Sequence, residues 1–301
     1  MDGKDLLRRL QQILDEDSGS GWMDTQLSYD FLYEAAKQIV DRTGCLRTTQ
    51  SITTVADDDE YDLNPDFMRL YAKNHDNEYY VILNDGSNNH FPTWKDYEDM
   101  LYQNTPTSTA IPSHFCIIDA SKPTQATGTA TSTGAASGGT STLTDTSGDF
   151  SNVNAGAIVH NTTDSSDGIV LSKTSSTVIV TALFSGTNNY WSSSDAYVIQ
   201  PQARYQIYFD PPPSTAGYTV TVPYVQRPAP VYSDYGIYRF SDDYKEALVK
   251  YAFWLYKYRD KEPDFGDAMY RFFEMEVGKK AYSVNRGQRP TNFKVNLKKR
   301  G

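Results

Sequence analysis

Residues 240–281 constrain the fold most, because they predict two consecutive helices whose apolar surface exceeds what one neighbour can cover. Ser241 suits the N-cap position, and the acids that follow it suit the positive end of a helix dipole. One face of the first helix recurs at helical spacing: Tyr244, Ala247, Leu248, Tyr251, Leu255 and Tyr258. A second face carries Val249, Phe253 and Tyr256. Such a helix is either a central core helix or part of a subunit interface.

The second helix begins near Pro263, which a first helical turn tolerates. Its apolar residues are Phe265, Ala268, Met269, Phe272, Phe273 and Val277. Across both helices, the candidates for core or inter-subunit contacts are Tyr244, Leu248, Tyr251, Phe253, Leu255, Phe272 and Phe273. We expect burial of Phe31, Leu248, Leu255 and Phe272.

The chain before this helix pair predicts two more helices and a small sheet. Residues 4–15 and 25–43 are amphipathic, and Gly44 is a natural C-cap for the second helix. Strands are predicted at 51–55, 115–119 (FCIID), 205–210 (YQIYFD) and 218–225, with a hairpin of 68–73 and 78–84 and a short helix at 92–102. The prediction is an α+β fold in which a helical bundle packs beside a small antiparallel sheet.

Residues 126–199 differ abruptly from the rest, since Ser, Thr, Gly and Asn dominate and charges are few. A disordered linker has that composition, but here apolar residues recur between turn residues about every eight to twelve positions. The spacing predicts an inserted all-β domain, barrel or sandwich-like. The flanking strands 115–119 and 205–210 are then neighbours, and the insertion projects outward from a parent fold that closes without it.

The formal net charge of −10 argues against a protein that coats nucleic-acid phosphates, but it suits a surface past which DNA slides. Tyrosine is common, at 23 residues, and this favours wide interfaces. Cys45 and Cys116 give neither a disulfide framework nor a metal cluster. The sequence contains no signal-peptide pattern and no run long enough to span a membrane, so we expect neither secretion nor membrane insertion.

A search for reaction chemistry finds no GxSxG, HExxH, Walker A or CxxC motif. The four histidines are isolated in turns or at strand edges. The acidic run at 57–60 offers oxygen ligands for a divalent cation but lacks the glycine and spacing of a calcium loop, so a solvated loop is favoured. We therefore expect no catalytic, cofactor-binding or metal-binding residues.

The charged residues after Gly278 are all basic, which is unusual on an acidic chain. Arg289 precedes Pro290, and this favours an extended backbone. The segment 284–301 is either a solvated end or an extended docking arm in a partner's groove, and DNA contact is a rival use of its charge. The candidate docking residues are Arg286, Arg289, Phe293, Lys294, Val295, Leu297, Lys298, Lys299 and Arg300.

Several segments together resemble the head-to-tail adaptor (connector) proteins of tailed bacteriophages. They are LLRRLQQILDED, WMDTQLSYDFLYEAAKQIVDRTG, FCIID, YQIYFDPPP, YTVTVPYVQRPAP and FSDDYKEALVKYAFWLYKYRD. The insertion resembles a small β module of phage virion proteins through TLTDTSGDF, NAGAIVHNTTD and SSDAYVI. Simpler adaptors lack such an insertion, so nothing carries over to it residue by residue.

The resemblance implies a structural, non-enzymatic protein of the virion neck, assembled in the host cytoplasm. Residues 1–125 and 200–283 form the expected adaptor core, with 126–199 inserted and 284–301 as the arm. Copies are expected to form a ring, twelve-fold in most such proteins, below the portal protein. The ring continues the channel for double-stranded DNA without sequence-specific binding and carries the tail or nozzle protein.

Two other functions stay open at this point. One is another neck or tail structural protein of the virion. The other is a glycan-binding or hydrolytic protein that acts through the β module, which as an enzyme would need two carboxylates that converge on a cleft.

Overall fold

The structure, a computed structural model, describes residues 1–14, 24–74, 76–103, 110–134, 136–260 and 263–286. It confirms the predicted mixed α+β class. The helices are α1 (Gly3–Leu14), α2 (Thr25–Thr43), α3 (Tyr97–Gln103), α4 (Lys245–Arg259) and α5 (Pro263–Arg286). A 3₁₀ turn at Asp242–Tyr244 precedes α4.

The described strands, numbered in chain order, form three sheets. One contains β1 (Arg47–Thr53), β3 (Phe67–Leu70), β4 (Ile82–Asn84), β5 (Asn89–His90) and β15 (Thr219–Gln226). A second contains β2 (Glu60–Asp62), β6 (Thr93–Trp94), β7 (His114–Asp119) and β14 (Tyr205–Asp210). The third contains β8 (Ala126–Thr129), β9 (Ser141–Thr144), β10 (Ile158–Asn161), β11 (Ser166–Ser175), β12 (Val178–Phe184) and β13 (Ala196–Gln200).

Local sequence explains the ends of α2. The Asp24 side chain accepts a hydrogen bond from Gln26 N at 2.8 Å, as an N-cap does. Gly44 has φ 59° and donates its backbone N–H to Val40 O at 2.7 Å. Glycine adopts this left-handed conformation without a Cβ clash, so the predicted C-cap is confirmed.

Helix α4 is a core helix, with burial on more than one face. Its buried residues are Ala247, Leu248, Val249, Tyr251, Ala252, Phe253 and Tyr256. The predicted burial of Leu248 is confirmed, since its exposed fraction is 0%, whereas Phe31 and Leu255 are only partly buried. The predicted burial of Phe272 is wrong, because this side chain is 48% exposed. Phe273 of α5 faces α4. The side chain of Phe272, one residue earlier, lies about 100° away around the helix axis.

The helices share their core with strands. Val225 of β15 and Ala182 of β12, both 0% exposed, belong to the same buried cluster as Leu10, Ile39 and Leu248. The predicted helical bundle is therefore not clearly separate from the sheets.

Strand β15 is the centre of the first sheet. One edge pairs antiparallel with β1 from Arg47 to Thr53. The other edge pairs with β4 near Thr219 and with β3 near Gln226. The two segments of the predicted hairpin pair with each other only next to the turn, where Lys73 forms a β-bridge with Tyr79. Strands β3 and β4 each pair with β15 instead.

Alternating side chains place the sheets in layers. Val222 of β15 packs in one apolar cluster with Phe209 of β14, so the first two sheets pack face to face. On the other face of the second sheet, Met100 of α3 packs with Tyr208. The helical core lies on the opposite side of β15, through Val225.

The strands that flank the insertion are neighbours, as predicted. Strands β7 and β14 pair antiparallel over their whole length, from Tyr205 opposite Asp119 to Asp210 opposite His114. The chain between them builds the six-stranded sheet in the order β8-β13-β10-β11-β12-β9. An enlarged hairpin loop therefore contains this sheet.

The inserted sheet has an apolar core of its own. Trp191 is completely buried there and donates its Nε1–H to Thr181 Oγ1 at 2.9 Å. Tyr197 is also buried, and its hydroxyl donates to Asp145 Oδ2 at 2.7 Å. Satisfied polar groups of this kind help to specify one packing arrangement. Independent folding of residues 126–199 stays a prediction.

One face of the inserted sheet packs against the helical core, so the expectation of an outward-projecting module is corrected. The Phe184 ring lies 6.1 Å from the Tyr232 ring, and Ser185 Oγ donates to Gln26 Oε1 of α2 at 3.2 Å. Alternation along β12 explains the contact, since Leu183 faces the insertion's own core and Ala182 faces the helices. The insertion therefore contributes side chains to the helical core, and closure of the parent fold without it stays a prediction.

A partly buried acid lies at this contact and gives a pH-dependent prediction. The Tyr232 hydroxyl donates to Asp30 Oδ1, while burial raises the pKa of Asp30 above its ordinary value. Because its pKa is raised, Asp30 binds a proton more tightly in the folded state than in the unfolded state. The contribution of Asp30 to stability is therefore largest below its unfolded-state pKa and falls as pH rises through its folded-state pKa. Tyr232→Phe removes the donor and raises this pKa further. We expect a loss of about 1–3 kcal/mol at neutral pH and a smaller loss below about pH 4, measured by urea unfolding.

Tyr238→Phe is the matched control for this variant. Tyr238 is buried close to the same cluster, and within the described ranges its hydroxyl has no hydrogen-bond partner. Removal of that hydroxyl should be neutral or stabilising at every pH. Equal effects of the two substitutions, or a Tyr232→Phe effect independent of pH, would contradict the assignment to Asp30.

Candidate functional site

Helices α4 and α5 meet along an aromatic seam formed by Tyr251, Trp254, Tyr258, Tyr270 and Phe273. The Trp254 and Tyr270 rings lie 4.7 Å apart, and the Tyr251 and Phe273 rings lie 4.8 Å apart. Ring contacts at these separations add to the apolar burial of a helix pair. The seam therefore fixes how α5, the last described helix, sits on the core.

Cations on neighbouring helices strengthen the attachment of α5. Arg42 of α2 pairs with Glu274, and its Nη2 donates to the Tyr270 hydroxyl at 3.2 Å. The Arg42 guanidinium also lies 5.3 Å from the centre of the Phe273 ring. Lys250 of α4 pairs with Glu276. These partly buried contacts tie α5 to both α2 and α4.

The buried tyrosines of this region are structural. Burial raises the pKa of Tyr251 and of Tyr256. The Tyr256 hydroxyl lies 2.6 Å from Ser28 Oγ. Both phenols therefore stay neutral at physiological pH and serve in packing and hydrogen bonding.

The outer face of α5 is apolar and open to solvent. We define this exposed α5 face as Ala268, Phe272 and Met275, which are spaced i, i+4 and i+7. Phe272 is 48% exposed and Met275 is 49% exposed. Tyr258, at the end of α4, is 63% exposed. An apolar stripe of this kind on a single subunit is a candidate contact surface for another copy.

The other candidates on these helices are mostly buried. The buried ones are Tyr244, Leu248, Tyr251, Phe253 and Phe273, while Leu255 is partly buried. Of the two interpretations of this helix pair, the core interpretation therefore applies to most of α4, while the exposed α5 face is available for an interface. Met275 was missed in the sequence, although its spacing from Ala268 and Phe272 was visible there.

The predicted arm overlaps the end of α5. Helix α5 continues to Arg286, so residues 284–286 are helical rather than extended. The other arm candidates lie outside the described residues: Arg289, Phe293, Lys294, Val295, Leu297, Lys298, Lys299 and Arg300.

The described residues contain no group of three or more His, Cys, Asp or Glu side chains that could hold a metal ion. His90 Nε2 lies 2.8 Å from Asp85 Oδ2, and His160 Nδ1 lies 2.6 Å from Asp167 Oδ1. Burial raises the pKa of the Cys116 thiol to about 11, which keeps it protonated.

None of the helices in the described ranges combines the length and apolarity needed to cross a membrane.

A family model described as SU10 adaptor protein matches residues 1–147 and 122–292 of this chain. The chain belongs to the SU10 adaptor protein family. A comparison with curated proteins gave no match.

Membership of the SU10 adaptor family indicates an adaptor-type structural protein of a bacteriophage and a component of its virion. The aromatic seam and the exposed α5 face both lie inside the matched residues. The two matches overlap at residues 122–147, where this SU10 adaptor enters its inserted sheet. Residues 293–301 of the SU10 adaptor lie outside the match.

Proposed function

We propose that this SU10 adaptor is the subunit of a dodecameric ring in the virion neck. The ring binds below the portal protein, extends the DNA channel and provides the attachment platform for the tail or nozzle protein. The observation that carries the proposal is the family match over residues 1–147 and 122–292.

The exposed α5 face supports lateral contact between copies. Phe272 and Met275 each leave about half of their surface in water in the single subunit. Burial of such a side chain from full exposure is worth about 1.5–3 kcal/mol, and about half of that remains to be gained by each of these two side chains, which favours a contact that recurs around a closed ring. In the proposal, α5 makes the contact between neighbouring subunits.

The charge of the chain supports passage of DNA. With a formal net charge of −10, a channel built from many copies repels phosphates rather than binding them. The duplex then moves through the ring without a sequence-specific grip. The basic C-terminal segment is assigned to the portal instead.

The proposal places the arm, residues 287–301, in grooves of the portal protein. Phe293, Val295 and Leu297 alternate as anchors of an extended segment do, and four cations surround them. Each ring presents many identical arms, so modest single-arm affinity suffices for stable docking. The proposal assigns no enzymatic activity, cofactor or metal to the chain.

Electron microscopy of the purified chain mixed with purified portal rings tests the proposal. We expect an additional ring of density on one side of the portal, coaxial with it, and twelve-fold class averages. Portal alone and chain alone are the controls. Absence of binding to the portal, together with incorporation of the chain elsewhere in the neck or tail, would refute the portal position and support another structural role.

A further inference from the structure

A cleft of about 450 Å³ lies between the inserted sheet and the parent core. Lys173 of β11 contributes from the inserted side, while Arg227 and Arg239 contribute from the segment after β15. Leu171 and Ile237 add apolar wall, and Ile237 is 62% exposed. The cleft thus combines cations with apolar surface, as peptide-binding grooves do.

The positive charge of the cleft is poorly neutralised by its own lining. The single lining carboxylate, Asp66, already accepts hydrogen bonds from the Tyr224 hydroxyl at 2.8 Å and from Gln226 Nε2 at 2.6 Å. Lys173 Nζ donates to Ser151 O at 2.8 Å, and Arg227 Nη1 donates to Gln202 Oε1 at 2.8 Å. Both of these acceptors are uncharged. A positive cleft on a chain of net charge −10 is a local reversal of the overall charge.

The titration of Lys173 is consistent with this excess charge. Burial lowers the pKa of Lys173, and the nearby Arg204 guanidinium lowers it further, against a smaller opposing effect of Asp149. An anionic group in the cleft would relieve the repulsion between the two cations.

A preformed acidic loop lies elsewhere on the same subunit. It comprises residues 57–60, Asp-Asp-Asp-Glu, and follows Val55, whose side chain is 56% exposed. The Tyr61 hydroxyl donates to Asp58 O at 2.8 Å, and Asp59 O accepts from Phe209 N at 2.9 Å. These bonds hold the loop in place, and a preorganised loop loses little entropy on binding.

Strand β15 separates the loop from the cleft. Near Thr219 it adjoins Thr54, which leads into the acidic loop, since Thr54 N donates to Tyr218 O at 2.9 Å. At its other end, Gln226 lines the cleft. Along the chain the nearest cleft residue is Asn64, which follows Glu60 by four residues, or about 13 Å of extended backbone, and the loop itself does not line the cleft. Two complementary patches on one subunit suit a head-to-tail contact, the kind that closes rings.

We propose that the acidic loop of one copy docks in the cationic cleft of the next copy, with Asp58 and Glu60 against Lys173 and Arg239. This inference rests on the proposed ring, of which it specifies one subunit contact. Val55 of the incoming loop covers the apolar wall beside Ile237.

Charge reversal tests the contact. The cleft variant carries Lys173→Glu and Arg239→Glu, and the loop variant carries Asp58→Lys and Glu60→Lys. All four side chains are exposed, so we expect both variants to fold. Lys4→Glu with Lys122→Glu is the control matched to the cleft variant, because it makes the same change in net charge as that variant at exposed positions. Asp57 is left unchanged, since its φ of 61° disfavours most side chains.

Each variant alone should assemble on portal rings about tenfold or more weakly than the wild type, because its cleft and loop then carry the same sign. The control should assemble normally. An equimolar mixture of the cleft and loop variants should regain assembly, since every contact in an alternating ring is complementary again. A single chain that carries all four substitutions should regain it too.

Normal assembly of either variant alone would overturn the contact. Failure of the mixture and of the fourfold variant would also overturn it, because the lost partner would then not be a second copy. The proposed ring is judged separately, by whether the wild type binds the portal. Sedimentation of the chain alone at high concentration tests the contact without portal, and the same loss and rescue of self-association are expected there.

Discussion

Removal of residues 288–301 should leave the subunit folded and abolish its assembly on portal rings. The deletion begins beyond α5, whose last residue is Arg286, so the aromatic seam and the ion pairs of α5 stay intact. What is lost is the alternating set Phe293, Val295 and Leu297 with the surrounding cations. An extended arm gains main-chain hydrogen bonds and side-chain contacts in a groove, and repetition around a ring multiplies the loss. Cosedimentation with purified, DNA-free portal measures the effect.

Two full-length variants show which part of the arm acts. Serine at positions 293, 295 and 297 removes the apolar anchors but keeps every charge. Glutamine at positions 294, 298, 299 and 300 removes charge but keeps the anchors. Docking in a groove predicts the larger loss for the serine variant, whereas DNA contact predicts a loss for the glutamine variant that appears only with DNA present. Assembly of the truncated chain at the wild-type level would show that another surface docks.

Leu248→Ala should cost about 2–5 kcal/mol of unfolding free energy, the largest stability loss expected from a single substitution here. Leu248 is completely buried in the cluster that joins α1, α2, α4 and α5 to Val225 and Ala182. Truncation leaves a cavity that close-packed neighbours from both helices and sheets fill only partly. Urea unfolding followed by circular dichroism measures the loss.

Leu255→Ala and Phe272→Ala are the comparisons for Leu248→Ala. Leu255 lies two turns further along α4 and is partly buried, so its truncation should cost clearly less. Phe272 is 48% exposed, so Phe272→Ala should cost little stability in the single subunit. The same substitution should weaken assembly. An unchanged melting temperature for Leu248→Ala, or equal losses for all three variants, would contradict the described packing.

Local signals in the sequence predicted the helices well. Asp24 and Gly44 occupy the two ends of α2, where side-chain capping and a left-handed glycine leave recognisable residues. The pairing of β7 with β14 followed from composition, because the change near residue 126 marks where an insertion begins. The helix caps depend on neighbouring residues only, whereas the strand pairing was inferred from where the insertion begins and ends.

Features that depend on distant partners were beyond the sequence pattern. Phe272 and Phe273 are both aromatic on an amphipathic helix, and only the position of α4 decides which one is buried. The apolar residues of β12 do not show whether their second face meets water or Tyr232. The residues Lys173, Arg227 and Arg239 line one cleft but lie in separate segments of the chain, so no local sequence motif predicts the cleft.

The position of β15 between β1 on one edge and β3 and β4 on the other has a mechanical consequence. A pull between the two ends of this strand acts along the chain, while the ladder hydrogen bonds lie across it. Bonds loaded in shear share the force and break together, whereas bonds opened from one end break in succession. Tension applied between these two ends of β15 is therefore resisted by the whole ladder at once.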